Sequence, residues 1–146
     1  MNSFHLQFCA SPEWRQRVEE TILPWALRDV DLGPAVVEIG PGPGDATALE
    51  FPDDHFTGAA SFHMPHHIEA DDDQKLVLAE LARVLRPGAT LVAADGIENE
   101  TTPAFHEDDI YNPIDPDDLG RGLVGAGFSA VEVAVYDLGW VCSARA

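Results

Sequence analysis

Positive charge is scarce in this chain of 146 residues, in which 8 Lys and Arg residues stand against 26 Asp and Glu residues. Lys75 is the only lysine, and the seven arginines are scattered without forming a basic patch. A net charge of −18 repels phosphate backbones and anionic lipid surfaces. We therefore expect neither nucleic acid nor a membrane as a partner. The acidity is either a solubility feature or a preference for neutral or cationic substrates.

Long apolar runs and paired cysteines are also absent. No stretch approaches the roughly 18 uninterrupted apolar residues that span a bilayer. The segment Met1–His5 lacks the basic start and apolar run of a signal peptide, so we expect a cytoplasmic location. Cys9 and Cys142 lie near opposite ends and form no CxxC pair, which excludes a disulfide framework. Both are interpreted as small buried hydrophobic residues.

The chain length favours a single domain, which we divide into an N-terminal helical region at 1–33 and a core at 34–146. Ser11 can cap a helix and Pro12 fits its first position. Apolar residues then recur at helical spacing as far as Arg28, which predicts an amphipathic helix.

The core alternates between strand and helix patterns, which predicts an α/β sandwich. A tight turn at 137–139 joins the last two strands, so they should pair antiparallel. Residues 45–57 hold no convincing element, and 96–114 form a long polar connection. Pro87-Gly88 should end the long helix of the core, and Asp115-Pro116 should open the next one. The predicted strands are 35–39, 58–64, 90–95, 129–135 and 140–144, and the helical apolar positions run from Leu76 to Leu85 and from Leu119 to Leu123.

Four segments carry a family resemblance in their sequential order. Val37–Gly44 is an acidic residue followed by a GxGxG turn, which is neither a P-loop nor a dinucleotide fingerprint. Asp45–Phe56 contains an Asp-Ala pair and a Phe-Pro-Asp turn, Ser61–Ile68 contains a His-His pair, and Glu80–Ala89 leads into a Pro-Gly turn. Together they resemble the class I S-adenosylmethionine-dependent methyltransferases. The resemblance implies a Rossmann-like three-layer α/β sandwich and methyl transfer from S-adenosylmethionine to a small-molecule substrate.

The resemblance also implies a set of site residues. Nine positions would bind the cofactor, and His66 or His67 would line the substrate side and act as a base near neutral pH. Other interpretations stay open: the glycine turn as a structural bend, Asp45 as a turn former, Phe62 and Met64 as ordinary core, and the histidines as structural. The nine positions are Glu38, Gly40, Pro41, Gly42, Gly44, Asp45, Ala46, Phe62 and Met64.

One departure from the family pattern stands out. In a typical member a helix, two strands and a second helix separate the glycine turn from the Asp-Ala pair, whereas here Gly44 directly precedes Asp45. The acidic residue that binds the ribose hydroxyls has no counterpart. We interpret this as a missing interior stretch, which would shrink the family sheet order 3-2-1-4-5-7-6 to 1-4-5-7-6.

The missing stretch has a physical consequence. The first strand would become a sheet edge with unpaired backbone groups, and one face of the sheet would be poorly covered. We therefore predict a homodimer, with exchanged elements as one form of it. The alternative to an active dimeric enzyme is a non-catalytic, self-associating remnant or shortened chain without competent cofactor binding.

Histidines and an aspartate mark further candidate positions. His63, His66 and His67, with His55 nearby, suggest a metal cluster, but no regular ligand frame follows and no metal site is predicted. Asp95 ends a predicted strand, where α/β sheets place functional groups. In the long polar connection, which would be a substrate lid in this family, the suggestive residues are Phe105, His106 and Tyr111.

Overall fold

A mixed five-stranded sheet forms the centre of the computed structural model, which describes residues 3–40, 44–100, 102–137 and 139–146. The strand order is β1-β2-β3-β5-β4. The first three strands run parallel, and β5 is antiparallel to both β3 and β4. This order matches the predicted 1-4-5-7-6 arrangement and confirms the antiparallel pairing of the last two strands. The strands are β1 Val36–Glu38, β2 Phe56–Phe62, β3 Leu85–Gly96, β4 Ser129–Tyr136 and β5 Gly139–Arg145.

The predicted helix starts are confirmed at two caps. The Ser11 hydroxyl accepts the backbone N–H of Trp14 at 3.1 Å, and the Asp115 carboxylate accepts N–H groups of the first turn of α6. None of the described helices is long and apolar enough to cross a bilayer. The helices are α1 Ser3–Cys9, α2 Pro12–Arg17, α3 Leu23–Ala26, α4 Asp71–Val84, α5 Thr102–Phe105 and α6 Pro116–Gly125.

A single π-helical turn, Val18–Ile22, joins α2 to α3. The Leu23 N–H bonds the Val18 carbonyl, one residue further back than in an α-helix. Pro24 follows directly and has no N–H for the carbonyl four residues earlier, which accounts for the widened turn. The predicted amphipathic helix therefore exists, with this irregularity in its middle.

Helices cover both faces of the sheet. The main core lies between the sheet and α4 with α6, and includes Leu81, Leu91 and Leu123. A smaller cluster on the opposite face joins Ala26 of α3 to Ala60 and Val92 of the sheet, with Leu27, Val30, Leu32, Phe62 and Val141 packed around it. The result is the expected three-layer arrangement.

Strand β1 is buried on only one of its faces. Val37 and Ile39 are buried, but Val36 is 42% exposed and Glu38 is exposed. Strand β1 lies at the edge of the sheet, as predicted, because β2 is its only strand neighbour within the described residues. β1 pairs with β2 of its own chain, so the connection at 39–55 is long enough without exchange between chains.

Two element boundaries differ from the prediction. Helix α4 ends at Val84 and β3 begins at Leu85, three residues before the Pro-Gly turn that was expected to end the helix. The residue before a proline is disfavoured in the helical region, so the chain becomes extended ahead of Pro87. The β2 strand likewise begins at Phe56 rather than Gly58, and it pairs with β3 from Leu85 onward.

Candidate active site

A buried carboxylate, Asp95, lies at the carboxyl end of β3. Its side chain is 1% exposed. Three N–H groups satisfy it: Oδ2 accepts the backbone N–H of His66 at 2.9 Å, and Oδ1 accepts Nδ1 of His66 at 2.6 Å and the Gly96 N–H at 2.8 Å. A buried carboxylate is tolerated when such donors replace water. The prediction that the end of this strand carries a functional group is consistent with this geometry.

His66 is presented to Asp95 by one turn of 3₁₀ helix, Pro65–His67. A carboxylate can only accept, so Nδ1 carries the hydrogen in this bond. In the neutral ring Nε2 then holds a lone pair, and that nitrogen is also buried. A fixed tautomer with a basic Nε2 is what a general base requires.

Two further histidines lie beside His66. The Nδ1 of His67 is 3.1 Å from the Ile110 carbonyl, and the Nδ1 of His106 is 2.9 Å from the Thr102 carbonyl. Burial lowers the pKa of His106, which favours its neutral form. One ring nitrogen from each of His66, His67 and His106 lies within 4.8 Å of the others.

The cluster differs from the one that the sequence suggested. His63, which has a positive φ of 54°, packs its ring on Trp14 and keeps its Nδ1 3.9 Å from Asp95. His55 stacks on Phe51 instead. The third member, His106, comes from the long polar connection, where it had been noted only as part of a lid. Its position next to Phe105 and near Tyr111 was the one available signal.

The polar connection is tied to the histidine turn by amide side chains. The Asn112 backbone N–H donates to the His66 carbonyl at 2.7 Å, and its side chain donates to the Ile68 carbonyl at 3.2 Å. Gln74 of α4 donates to the Asn112 carbonyl at 2.9 Å and to the Pro65 carbonyl at 3.3 Å. These bonds hold the two histidine-bearing segments against each other.

The glycine turn borders a cavity of about 310 Å³ at the end of β1. Neither Gly40 nor Gly44 has a positive φ, so backbone conformation does not require glycine at either position. A Cβ on Gly44 would meet nothing within 4 Å, and one on Gly40 would touch only Glu38. Pro41 and Gly42 lie outside the described residues. The cavity is lined by Glu38, Ile39, Gly40, Gly44, Asp45, Ala46 and Leu49.

Three predicted cofactor residues therefore share this cavity with the glycines. Glu38 is exposed and solvated, so its carboxylate carries no burial cost. The Asp45 carboxylate accepts the Thr47 hydroxyl at 2.6 Å and the Thr47 N–H at 2.9 Å, which lowers the pKa of Asp45. Asp45 thus forms a turn and also faces the cavity. Ala46 packs partly against the main core.

The remaining two predicted cofactor residues follow the end of β2. Phe62 packs with the smaller cluster beneath the N-terminal helices, which is the ordinary-core interpretation. Met64 is partly buried, and its carbonyl accepts the N–H of His67 at 2.9 Å. Neither residue lines the cavity beside the glycine turn.

An arginine on α4 clamps the segment that follows the Asp-Ala pair. Arg83 donates to the Leu49 carbonyl at 3.0 Å, to the Phe51 carbonyl at 2.8 Å and to the Asp53 carboxylate at 2.7 Å. Glu80 pairs with Arg83 at 2.8 Å and accepts the Leu49 N–H at 2.8 Å. The Arg83 side chain lowers the pKa of Glu80 to about 2. The motif that leads into β3 therefore positions the loop beside the cavity.

A larger groove, of about 820 Å³, lies elsewhere, between α4 and α6. Its lining includes Lys75, Asn112 and Arg121 but no described residue of the glycine turn and neither His66 nor Asp95. Size alone would favour this groove. The chemistry favours the smaller cavity, because the glycine turn lines it and the buried carboxylate–imidazole pair follows the carboxyl ends of neighbouring parallel strands.

Comparison with known proteins identifies relatives of one kind. A family model described as a methyltransferase domain matches residues 25–93. The O-methyltransferase cnsE of Penicillium expansum is 35% identical in an alignment of 95 residues that covers 61% of this chain and 33% of that protein. The chain thus spans about a third of the length of this curated relative.

Solved structures share the fold at low identity. A SAM-dependent methyltransferase from Archaeoglobus fulgidus aligns with a TM-score of 0.72 at 14% identity, covering 99% of this chain and 100% of that one. Phosphoethanolamine N-methyltransferase 2 of Haemonchus contortus, in complex with S-adenosyl-L-methionine, aligns with a TM-score of 0.58 at 13% identity, covering 69% and 35%. The fold is therefore the Rossmann-like fold that the sequence predicted.

Proposed function

We propose that the chain belongs to the class I S-adenosylmethionine-dependent methyltransferase family and transfers a methyl group from S-adenosylmethionine to a small-molecule acceptor, since a methyltransferase-domain model matches residues 25–93 and a solved S-adenosylmethionine-dependent methyltransferase shares its fold. The observation that carries the proposal is the open cavity at Gly44, at the same sheet edge as the Asp95–His66 pair. When bound, S-adenosylmethionine supplies an electrophilic methyl group. The curated relative is named an O-methyltransferase, which favours an oxygen of the acceptor as the nucleophile.

The cavity fits a cofactor of this kind in size and lining. Ligand pockets commonly start at about 300 Å³, and the two described glycines leave room for close approach of a ligand to the backbone. The Glu38 carboxylate provides a negative charge for the cofactor's ammonium group, and Asp45 provides an acceptor for the adenine amino group. Pro41, Gly42, Ala46, Phe62 and Met64 stay part of the proposed binding set on the evidence of the motifs.

His66 is the proposed base on the acceptor side. Its Nε2 takes the proton as the acceptor hydroxyl becomes the nucleophile, and Asp95 holds the ring in the required tautomer while stabilising the resulting imidazolium. His67 stands beside it, with a ring-centroid separation of 4.1 Å. The chain's contribution is thus to bind, align and dehydrate the two reactants and to accept one proton.

Titration calorimetry with S-adenosylmethionine and S-adenosylhomocysteine tests cofactor binding. The variant Gly44→Ala places a methyl group in the cavity, where it meets no protein atom within 4 Å. We expect unchanged thermal stability and about tenfold weaker cofactor binding. Gly125→Ala is the matched control, because a Cβ there also meets nothing within 4 Å and Gly125 lies at the end of α6.

The alternative is a remnant without competent cofactor binding. Absence of heat at high micromolar cofactor would support the remnant, as would equal affinities in the Gly44→Ala and Gly125→Ala variants. If the cofactor binds, a radiolabelled methyl donor offered with pools of small hydroxylated and amine acceptors then identifies the acceptor class.

We also propose that the chain works as a homodimer through the β1 edge. The exposed Val36 and the unpaired side of β1 support this proposal, because an open strand edge is a template for another strand. Equilibrium ultracentrifugation should find dimers at micromolar concentration, and Val36→Lys should shift them to monomers. Monomers of the unmodified protein under these conditions would contradict the proposal.

A further inference from the structure

The three clustered histidines share a pattern of hydrogen bonding. In each ring Nδ1 faces an oxygen that can only accept: a carboxylate for His66 at 2.6 Å, and backbone carbonyls for His67 at 3.1 Å and His106 at 2.9 Å. Each Nδ1 therefore carries the hydrogen. In all three neutral rings the lone pair consequently resides on Nε2, and all three Nε2 atoms are buried.

This pattern is characteristic of imidazoles that bind metal ions. A metal-ligating histidine generally donates its other N–H to a carboxylate or backbone carbonyl, which fixes the tautomer and raises the basicity of the ligating nitrogen. Asp95 forms the carboxylate–histidine part of such an arrangement through His66. Because Asp95 is itself held by the Gly96 N–H and the His66 N–H, the outer contact is rigid.

The spacing also fits one ion. A ring nitrogen from each of His66, His67 and His106 lies within 4.8 Å of the others. Zinc–nitrogen bonds are about 2.1 Å long, so small ring rotations bring the three nitrogens around a single centre. The Tyr111 ring stacks on His106 at a centroid distance of 4.2 Å and helps to shield the cluster from water.

We propose that His66, His67 and His106 form a binding site for a divalent transition-metal ion of the zinc class, with the fourth coordination position left for water or an acceptor oxygen. Three neutral imidazoles suit zinc, and one open position is typical of catalytic rather than structural sites. The site shares His66 with the proposed methyl transfer, and a bound ion would prevent His66 from acting as the base, because its Nε2 cannot hold a metal ion and accept a proton at once.

Two segments distant in sequence build the proposed site. The turn Pro65–His67 contributes two ligands, and the residue that follows α5 contributes the third. Asn112 and Gln74 tie these segments together. The ion would therefore add a cross-link between the β2–α4 connection and the long polar connection, and binding should raise the melting temperature.

The test uses the full chain, freed of metal by a chelator and dialysed. Calorimetric titration with Zn²⁺ should give one ion per chain, and X-ray absorption of the zinc-loaded protein should count three imidazole nitrogens. His106→Phe keeps a ring beside Tyr111 but removes a ligand, and it should weaken binding at least tenfold. His55→Ala is the matched control, because it removes a histidine outside the cluster, and its zinc affinity should equal that of the unmodified protein.

Asp95→Asn provides a second variant in case His106→Phe does not fold. Loss of the carboxylate contact to His66 should weaken zinc binding by about 10- to 100-fold. The proposal is overturned if the unmodified protein binds no zinc, if His106→Phe or a folded Asp95→Asn variant binds it normally, or if His55→Ala abolishes binding. Cofactor titration of the same metal-free and zinc-loaded samples separates this result from the outcome for methyl transfer.

Discussion

The Oδ1 atom of Asp95 lies 2.6 Å from Nδ1 of His66, and its Oδ2 accepts the backbone N–H of the same histidine at 2.9 Å. One buried carboxylate thus fixes both the ring and the main chain of His66. Three predictions rest on polar contacts of this kind, and a fourth rests on the burial of the two thiols.

The first concerns the stability of the Asp95 contact. In Asp95→Asn one carboxylate oxygen becomes an amide donor, which faces either the His66 ring N–H or its backbone N–H. Loss of an acceptor for a buried donor costs about 1–3 kcal/mol of unfolding free energy. Urea denaturation measures the change. Asp118→Asn, which alters an exposed carboxylate on α6, should change stability by less than about 0.5 kcal/mol.

The second concerns the clamp that Arg83 forms over the loop beside the cavity. Arg83→Gln removes the contacts to Phe51 and Asp53, so the loop should become mobile. We expect about tenfold weaker binding of S-adenosylmethionine, measured by calorimetry. Arg121→Gln breaks the Asp118–Arg121 ion pair on α6, which has the same i, i+3 spacing as the Glu80–Arg83 pair. This variant should leave the affinity unchanged. Equal affinities in both variants would show that the clamp does not position the loop.

The third prediction concerns the pH dependence of stability. Arg83 lowers the pKa of Glu80 from 4.5 to about 2 in the folded chain. A carboxyl group with a depressed folded pKa stabilises the protein fully above its unfolded pKa and loses this effect as the pH falls through the folded value. The stability difference between the unmodified protein and Glu80→Gln should therefore shrink between pH 4.5 and about 2. Urea unfolding at a series of pH values measures it, and a constant difference would refute the coupling.

The fourth concerns the two thiols. Burial raises the pKa of Cys142 to about 12, and it also raises the pKa of the half-buried Cys9. Because the thiolate is the reactive species, Ellman's reagent near neutral pH should label Cys9 slowly and should label Cys142 only after unfolding. A Cys9→Ser variant should then show no reactive thiol until denaturant is added. Rapid labelling of that variant in the native state would contradict the burial of Cys142.

Much of the scaffold could be read from local patterns. The caps at Ser11 and Asp115, the periodic apolar residues of α4 and the tight turn before β5 each determine their own surroundings, and each was predicted correctly. The Pro-Gly turn was recognised too, but the helix before it ended at Val84 because the restriction imposed by Pro87 reaches upstream.

The site was less accessible to such reasoning. His66 and Asp95 were each noted from the sequence, but nothing local indicated that they bond to each other across 29 positions. His106 joins them only because Asn112 and Gln74 fold the polar connection back over the histidine turn. Glu38 is exposed because its strand, β1, has only β2 as a strand neighbour within the described residues.

The sequence by itself determined the elements, the family resemblance and the strand order, because periodicity, caps and turn residues act over a few positions and the motifs occur in family order. Only the tertiary structure decided which nitrogen of each histidine is held, which oxygen holds it and how closely the three rings approach. His66 and His67 are held by residues 29 and 43 positions away, whereas His106 is held by Thr102 four positions away. The three rings come together only when the sheet and its helices bring the carboxyl ends of β2 and β3 to one end of the sheet.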